Sequence, residues 1–272
     1  MGKPAYLYKY EAFSIQSLLN LKRQIIYFSS PSNFNDPYDC AVTPAIDSPS
    51  DEELQLLRQM CAKDERIAPK ARNDFEAKSD SAVRKILVDA TREAIDRGIQ
   101  RFLQTNGVAC FSKKNCDLLM WSHYGGHYKG FCLEFATALD PQIEFREVHY
   151  VPSPPHLNVK SILLDDDFQI VKELFCTKSE TWAYEEEWRA IHQVGGTQHV
   201  YSPEMLTGVY FGPDIDSQAR EIVCLILAGQ NDTARLWKGS RSTTEFRVLF
   251  EEIKYMPHLV AKRNGLIASG TS

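Results

Sequence analysis

Between Ser50 and Gln104 the chain changes character. Charged residues dominate, aromatic ones nearly vanish, and Leu54, Leu57, Met60, then Val83, Ile86, Leu87, Ala90, Ala94 and Ile95 recur at helical spacing. This break constrains the fold more than any other feature, because the runs on both sides are short, aromatic and β-branched, as strands are. The segment therefore reads as two or three helices, the last one long, inserted at about 50–104 into a core built from strands. A charged helical insertion of this kind is more often a scaffold or a surface for self-association than a catalytic element.

The flanking runs predict the core. Ala5–Tyr10 reads as a strand, Ser14 caps a short helix carrying Ile15, Leu18, Leu19 and Leu21, and Gln24–Ser29 reads as a second strand. Ser30–Pro37 is turn-rich, its prolines holding their predecessors extended. Further strands are expected at 107–112, 129–135, 145–151, 185–193, 206–211 and 246–253, and helices at 117–124, 162–178 and 216–227. Pro152, Pro154 and Pro155 mark a linker. Strands and helices without regular βαβ spacing favour α+β, a mixed or antiparallel central sheet with flanking helices. One α+β domain over 1–262 is expected, with a frayed tail over 263–272.

At 272 residues, 43% hydrophobic and 25% charged, the chain is ordinary globular material. A net charge of -5 argues against a general nucleic-acid coat. Its seven cysteines are scattered with no CxxC pair, which points to reduced core thiols in a cytoplasmic protein. The opening lacks an export signal, Tyr6 stands where a myristoylation site wants Ser or Thr, and no apolar run approaches a membrane span. Neither GxGxxG nor GxxxxGK[ST] occurs.

Three constellations carry chemistry. In Met120–Tyr128 (MWSHYGGHY), a helix end offers Trp121, Ser122, His123 and Tyr124 to a ligand, aromatic walls suiting flat bases and histidine moving protons near neutral pH. His123 and His127 stand at i and i+4, but Gly125 and Gly126 disfavour a helix between them, so no metal is expected. In Thr181–Ile191 (TWAYEEEWRAI), a strand places Glu185, Glu187 and Arg189 on one face and Glu186, Trp188 and Ala190 on the other. Two carboxylates beside an arginine form a row tunable for proton or cation handling, here flanked by Trp182 and Tyr184. The alternative is a surface ladder of alternating charge. In Phe28–Asp39, Asn35 and Asp36 either shape a turn or bond ribose or amide groups.

The order of these motifs is itself a signal. LYKY, IYFSSPSNFNDPYD, ACFS, MWSHYGGHYKGFCLEF, VHYV, TKSETWAYEEEWRAI and VYFG together resemble the bacterial domain-of-unknown-function family 2971. The likeness runs from about Tyr6 to Gly212, the helical segment apart, with FNDP, MWSHY…H…G and W.YE.EWR as its specific parts. It brings no activity with it. A second, architectural resemblance is to ADP-ribosyltransferases, in one class of which a first-strand arginine, a serine strand and an E-x-E strand surround NAD. That resemblance implies Glu187 as the catalytic glutamate, Glu185 as its partner and Ser29 or Ser112 as the serine. Lys9, beside Tyr10, stands where the first-strand arginine or histidine belongs.

The expected catalytic set is thus Glu187, Glu185, His123, Tyr124 and Arg189. The expected substrate contacts are Lys9, Tyr10, Ser29, Asn35, Asp36, Ser112, Trp121, Ser122, His127 and Trp182. NAD is the implied substrate, and the residues themselves require no cofactor. Two other functions stay open: a hydrolase or nuclease using His123 with Glu187, and a non-catalytic module binding a nucleotide or protein in a phage-defence or toxin–antitoxin system.

Overall fold

The computed structural model describes residues 2–163 and 172–266. In chain order the first elements are β1 (Tyr6–Glu11), α1 (Ile15–Lys22), β2 (Ile25–Tyr27), β3 (Ala45–Asp47), α2 (Asp51–Lys63), α3 (Pro69–Glu76) and α4 (Asp80–Thr105). Then come β4 (Gly107–Ser112), α5 (Leu118–His123), β5 (Phe131–Ala136), β6 (Phe145–Glu147), β7 (His149–Val151), β8 (His156–Asn158), α6 (Val159–Leu163) and β9 (Thr177–Ser179). The last are β10 (Glu187–His192), β11 (Gln198–Val200), β12 (Leu206–Phe211), α7 (Ser217–Ala228), β13 (Arg235–Arg241), β14 (Val248–Ile253) and α8 (His258–Arg263). The fold is α+β. No helix among the described residues is long and apolar enough to cross a membrane.

Helix starts follow local chemistry. Ser14 with Ser17, and Ser50 with Glu53, close capping boxes, while Asp117 and Asp216 each accept two backbone N–H bonds at the starts of α5 and α7.

The chain divides into two compact units. The first holds residues 1–29, 107–148 and 183–272, so far as they are described, and contains an eight-stranded sheet in the order β14-β13-β12-β5-β1-β4-β10-β6. Neighbours are antiparallel except β12 and β13, which are parallel and joined through α7. Because side chains alternate along strands, the sheet has two unlike faces. One packs Leu7, Phe111, Phe131, Leu133, Phe135, Trp188 and Phe211 against Leu21 of α1 and Val223, Cys224 and Leu227 of α7. The other carries Tyr10, Cys132 and Tyr210, covered by Met120 and Trp121 of α5.

The second unit holds 30–106 and 149–182, so far as they are described. Leu54, Leu57, Val83 and Leu87 form its core with Val159 of α6. Its short strands pair in parallel, β3 with β8 and β7 with β9.

Several sequence expectations change here. The three helices of 50–104 are present, but they are not a separate insertion into one domain. Val159 completes their core and β8 pairs with β3, so 30–49 and 149–182 belong with them. The strand expected over 145–151 is two strands, β6 pairing with β10 and β7 with β9. Of the helix expected over 162–178, residues 164–171 lie outside the described residues, and its end is β9. β13 was not expected, because Arg235, Lys238 and Arg241 stand three residues apart and interrupt the alternation that marks a strand.

Candidate functional site

The strand expected from Glu185 begins only at Glu187. Residues Glu180–Glu185 form a 3-10 helix, and Glu186 turns the chain with φ of 41°. That backbone region is uncommon for a side-chain-bearing residue and is held by its surroundings. Lys113 N donates to the Glu186 carbonyl at 3.1 Å, and the Glu186 carboxylate pairs with Lys114 Nζ at 2.7 Å.

Despite the turn, Glu185 and Glu187 are both buried, as is Arg189. Glu187 and Arg189 share a face by alternation, and the guanidinium grips the carboxylate with two bonds, Nε to Oε1 at 2.8 Å and Nη2 to Oε2 at 3.0 Å. Trp188, between them, turns to the apolar core. Glu185 Oε1 accepts the Tyr124 hydroxyl at 2.6 Å. Ser112 lies opposite Glu187 in the register of β4 and β10, and its hydroxyl donates to the Glu185 carbonyl at 2.6 Å. One serine thus joins the β-sheet to the turn that carries both glutamates. Beside this, the Tyr184 hydroxyl meets His123 Nδ1 at 3.3 Å, the imidazole being exposed.

The structure therefore brings Tyr124, Glu185, Glu187, Arg189 and Ser112 together, with His123 reaching them through Tyr184. Glu187 is held by the Arg189 guanidinium, and Glu185 by the Tyr124 hydroxyl, so two buried carboxylates stand at the start of β10.

The other expected contacts divide by place. Trp121 is fully buried, its ring edge-on to Tyr10 at 5.1 Å and its indole N–H donating to the Asn115 carbonyl at 2.7 Å. Tyr10 is also buried, its hydroxyl donating to the Lys114 carbonyl, and desolvation pushes its phenol pKa well up. Both support the loop under α5 instead of facing a ligand. Ser122 is half-buried in α5, and His127 is exposed on a turn with φ of 54°. Ser29 forms a backbone bridge to Val108, four residues along β4 from Ser112. Lys9 points to the opposite face from Tyr8 and Tyr10, beside Glu11 at 3.5 Å and 5.8 Å from the Phe111 ring centre. Asn35, Asp36 and Trp182 belong to the second unit. There Asp36 Oδ1 accepts the Tyr38 N–H at 2.9 Å, the turn-shaping role.

Contacts that sequence reasoning missed stand beside the residues it named. Tyr184 meets His123, and Lys114 meets Glu186. In the second unit, Lys178 and Asp39 are buried and bridged at 3.2 Å, with the ammonium 5.0 Å from the Trp182 ring centre. A helical reading of 162–178 hid Lys178, which is buried on β9.

Residues 120–190 match the family model described as a protein of unknown function (DUF2971), the stretch that runs from α5 through both glutamates to β10. The motif resemblance to that family is therefore shown there. No curated protein matches the chain. No solved structure matches it either.

Proposed function

We propose that the protein cleaves or transfers at the N-glycosidic bond of an NAD-type nucleotide, with Glu185 as the principal carboxylate. The observation that carries this reading is the hydrogen bond of 2.6 Å from the Tyr124 hydroxyl to the buried Glu185 carboxylate, next to a Glu187 that Arg189 grips with two bonds. In such a reaction the bond from ribose C1 to the nicotinamide nitrogen breaks, and its electron pair leaves with nicotinamide, neutralising the pyridinium. The oxygen of water or another nucleophile bonds to C1 and gives up its proton. Positive charge gathers on the ribose in the transition state, where a fixed carboxylate is most valuable. Glu185 supplies it, Tyr124 aims it, and the Glu187–Arg189 pair holds the strand face rigid. This moves the principal role from Glu187, which the E-x-E likeness favours, to its neighbour.

The exposed His123 beside Tyr184 supports a second reading, a hydrolase or nuclease with that imidazole as general base. We place either activity in the cytoplasm, with a phage-defence or toxin–antitoxin role and self-association through the helices of 51–105 as further proposals.

The test is release of nicotinamide from NAD by the purified chain, with and without Glu185→Gln. Release by wild type and a fall of about a hundredfold in the variant, or about 2.7 kcal/mol of barrier, are expected. No release from NAD, together with phosphodiester hydrolysis lost in His123→Ala, would establish the second reading in its place.

A further inference from the structure

The two edges of the eight-stranded sheet are unlike. At one end β6 is three residues long, a length that blunts an edge against further pairing. At the other end β14 runs for six residues without a proline or a break in register. Among the described residues it pairs with β13 alone.

The hydrogen bonds at the start of β14 fix which of its backbone groups face outward. The Ser242 N–H donates to the Arg247 carbonyl at 3.1 Å, between the two strands. The Val248 N–H turns the other way and donates to the Cys116 carbonyl at 3.0 Å. Alternation in an antiparallel pair then directs the N–H and C=O of Phe250 and Glu252 outward, beyond the residue that Cys116 covers. The chain leaves β14 through Lys254, Tyr255 and Met256, and Pro257 disfavours a helical Met256. An extended continuation gives Lys254 and Met256 the same outward sense as Glu252.

A second copy of β14 supplies a strand that fits this edge, and the side chains select its register. Antiparallel pairing about a two-fold axis sets one residue against its own equivalent and its neighbours against each other in reverse order. Centred on Phe250, the pairing needs the Val248 backbone that Cys116 already holds. Centred on Glu251, Glu252 or Lys254, it sets like charge directly against like. Centred on Ile253, it places Glu252 of each copy opposite Lys254 of the other, with Phe250 opposite Met256. Glu252 and Lys254 are both exposed, and Met256 is 46% exposed, an apolar side chain left in solvent beside the edge. The Glu252 carboxylate is met by Arg235 at 2.8 Å and has lone pairs for a second cation.

We propose that two copies of this chain join edge to edge through β14, antiparallel and centred on Ile253, with a Glu252–Lys254 pair on each side of the axis. The two eight-stranded sheets then form one continuous sheet. This surface is separate from the helices of 51–105 and does not depend on the reaction assigned to Glu185.

Sedimentation velocity on the full-length protein tests it with two charge reversals, Lys254→Glu and Glu252→Lys. Wild type is expected to dimerise. Each variant alone faces like charges at both pairs and should dimerise about tenfold or more weakly. Both side chains are exposed, and thermal melts check that each variant is folded. Mixed together, the two variants bring an acidic edge against a basic one, so the mixture should sediment as a heterodimer at concentrations where each alone is a monomer. A monomeric wild type would overturn the proposal and leave the edge to a strand of another protein. A dimer indifferent to both reversals would overturn it in favour of another surface. Folded variants that stay monomeric when mixed would overturn the register and with it the proposal.

Discussion

The Tyr124 hydroxyl donates to Glu185 Oε1 across 2.6 Å, joining the C-terminal end of α5 to the turn that leads into β10, 61 residues further along the chain. Tyr124→Phe removes the donor and leaves the ring. A buried carboxylate deprived of a donor costs about 1–3 kcal/mol, so the variant should unfold at lower denaturant with an unchanged m-value. Identical denaturation midpoints would mean that the bond contributes nothing to the fold.

The Glu187–Arg189 pair makes a stronger demand. Both groups are buried, with Arg189 fully so, and removing one partner strips the other buried charge of its two-bond contact at a cost of about 3–5 kcal/mol. Glu187→Gln, nearly harmless on an exposed strand, is therefore expected to lower stability sharply. The double variant Glu187→Gln/Arg189→Met should recover a large part of the loss, because it removes both charges. A double variant as unstable as the sum of the singles would show that the two residues do not act as a pair.

Gly212 follows β12 with its α-carbon pressed against the turn after α5. A Cβ there would lie 2.1 Å from the Tyr128 carbonyl oxygen, where only backbone movement can make room. Gly212→Ala should cost about 3 kcal/mol or more, the upper end of overpacking effects. Thermal melts of wild type and variant measure it, and a shift under about 2 °C would contradict the close approach.

Cys224 on α7 offers a test by pH. Burial against the apolar face of the sheet raises its thiol from 9.0 to about 11. Because the folded value lies above the unfolded one, the stability tied to the neutral thiol is fully present below pH 9 and is lost as pH rises toward 11. At pH 8 the folded thiolate fraction is about a hundredfold below that of an unshifted thiol. Peptide-resolved alkylation should find Cys224 slow in the native protein and fast in denaturant. Equal rates would place the thiol in solvent.

Excising 50–104 and bridging the gap removes Leu54, Leu57, Val83 and Leu87 from around Val159. The product is expected to expose the remainder of the second unit and to aggregate, although the eight-stranded sheet draws no strand from that segment. A monodisperse, cooperatively melting product would mean that 30–49 and 149–182 need no helical core.

Helix starts, the three charged helices, and the strands 107–112 and 206–211 were legible in the sequence by itself, since caps and periodicity act over a few residues. The pairing of Glu187 with Arg189 was legible for the same reason, as neighbours on one strand face. What only the tertiary structure decided concerns residues brought together by register. Ser112 reaches the Glu185 carbonyl, Tyr210 and Thr207 dress Glu134, and the described part of 149–182 completes the helical unit across the 42 intervening residues of 107–148. Glu186 leaves the strand conformation because Lys113 and Lys114 hold it, not because its own type prefers a positive φ. Local patterning specifies which residues share a face, but which strands lie side by side, and in what register, depends on the whole packed core.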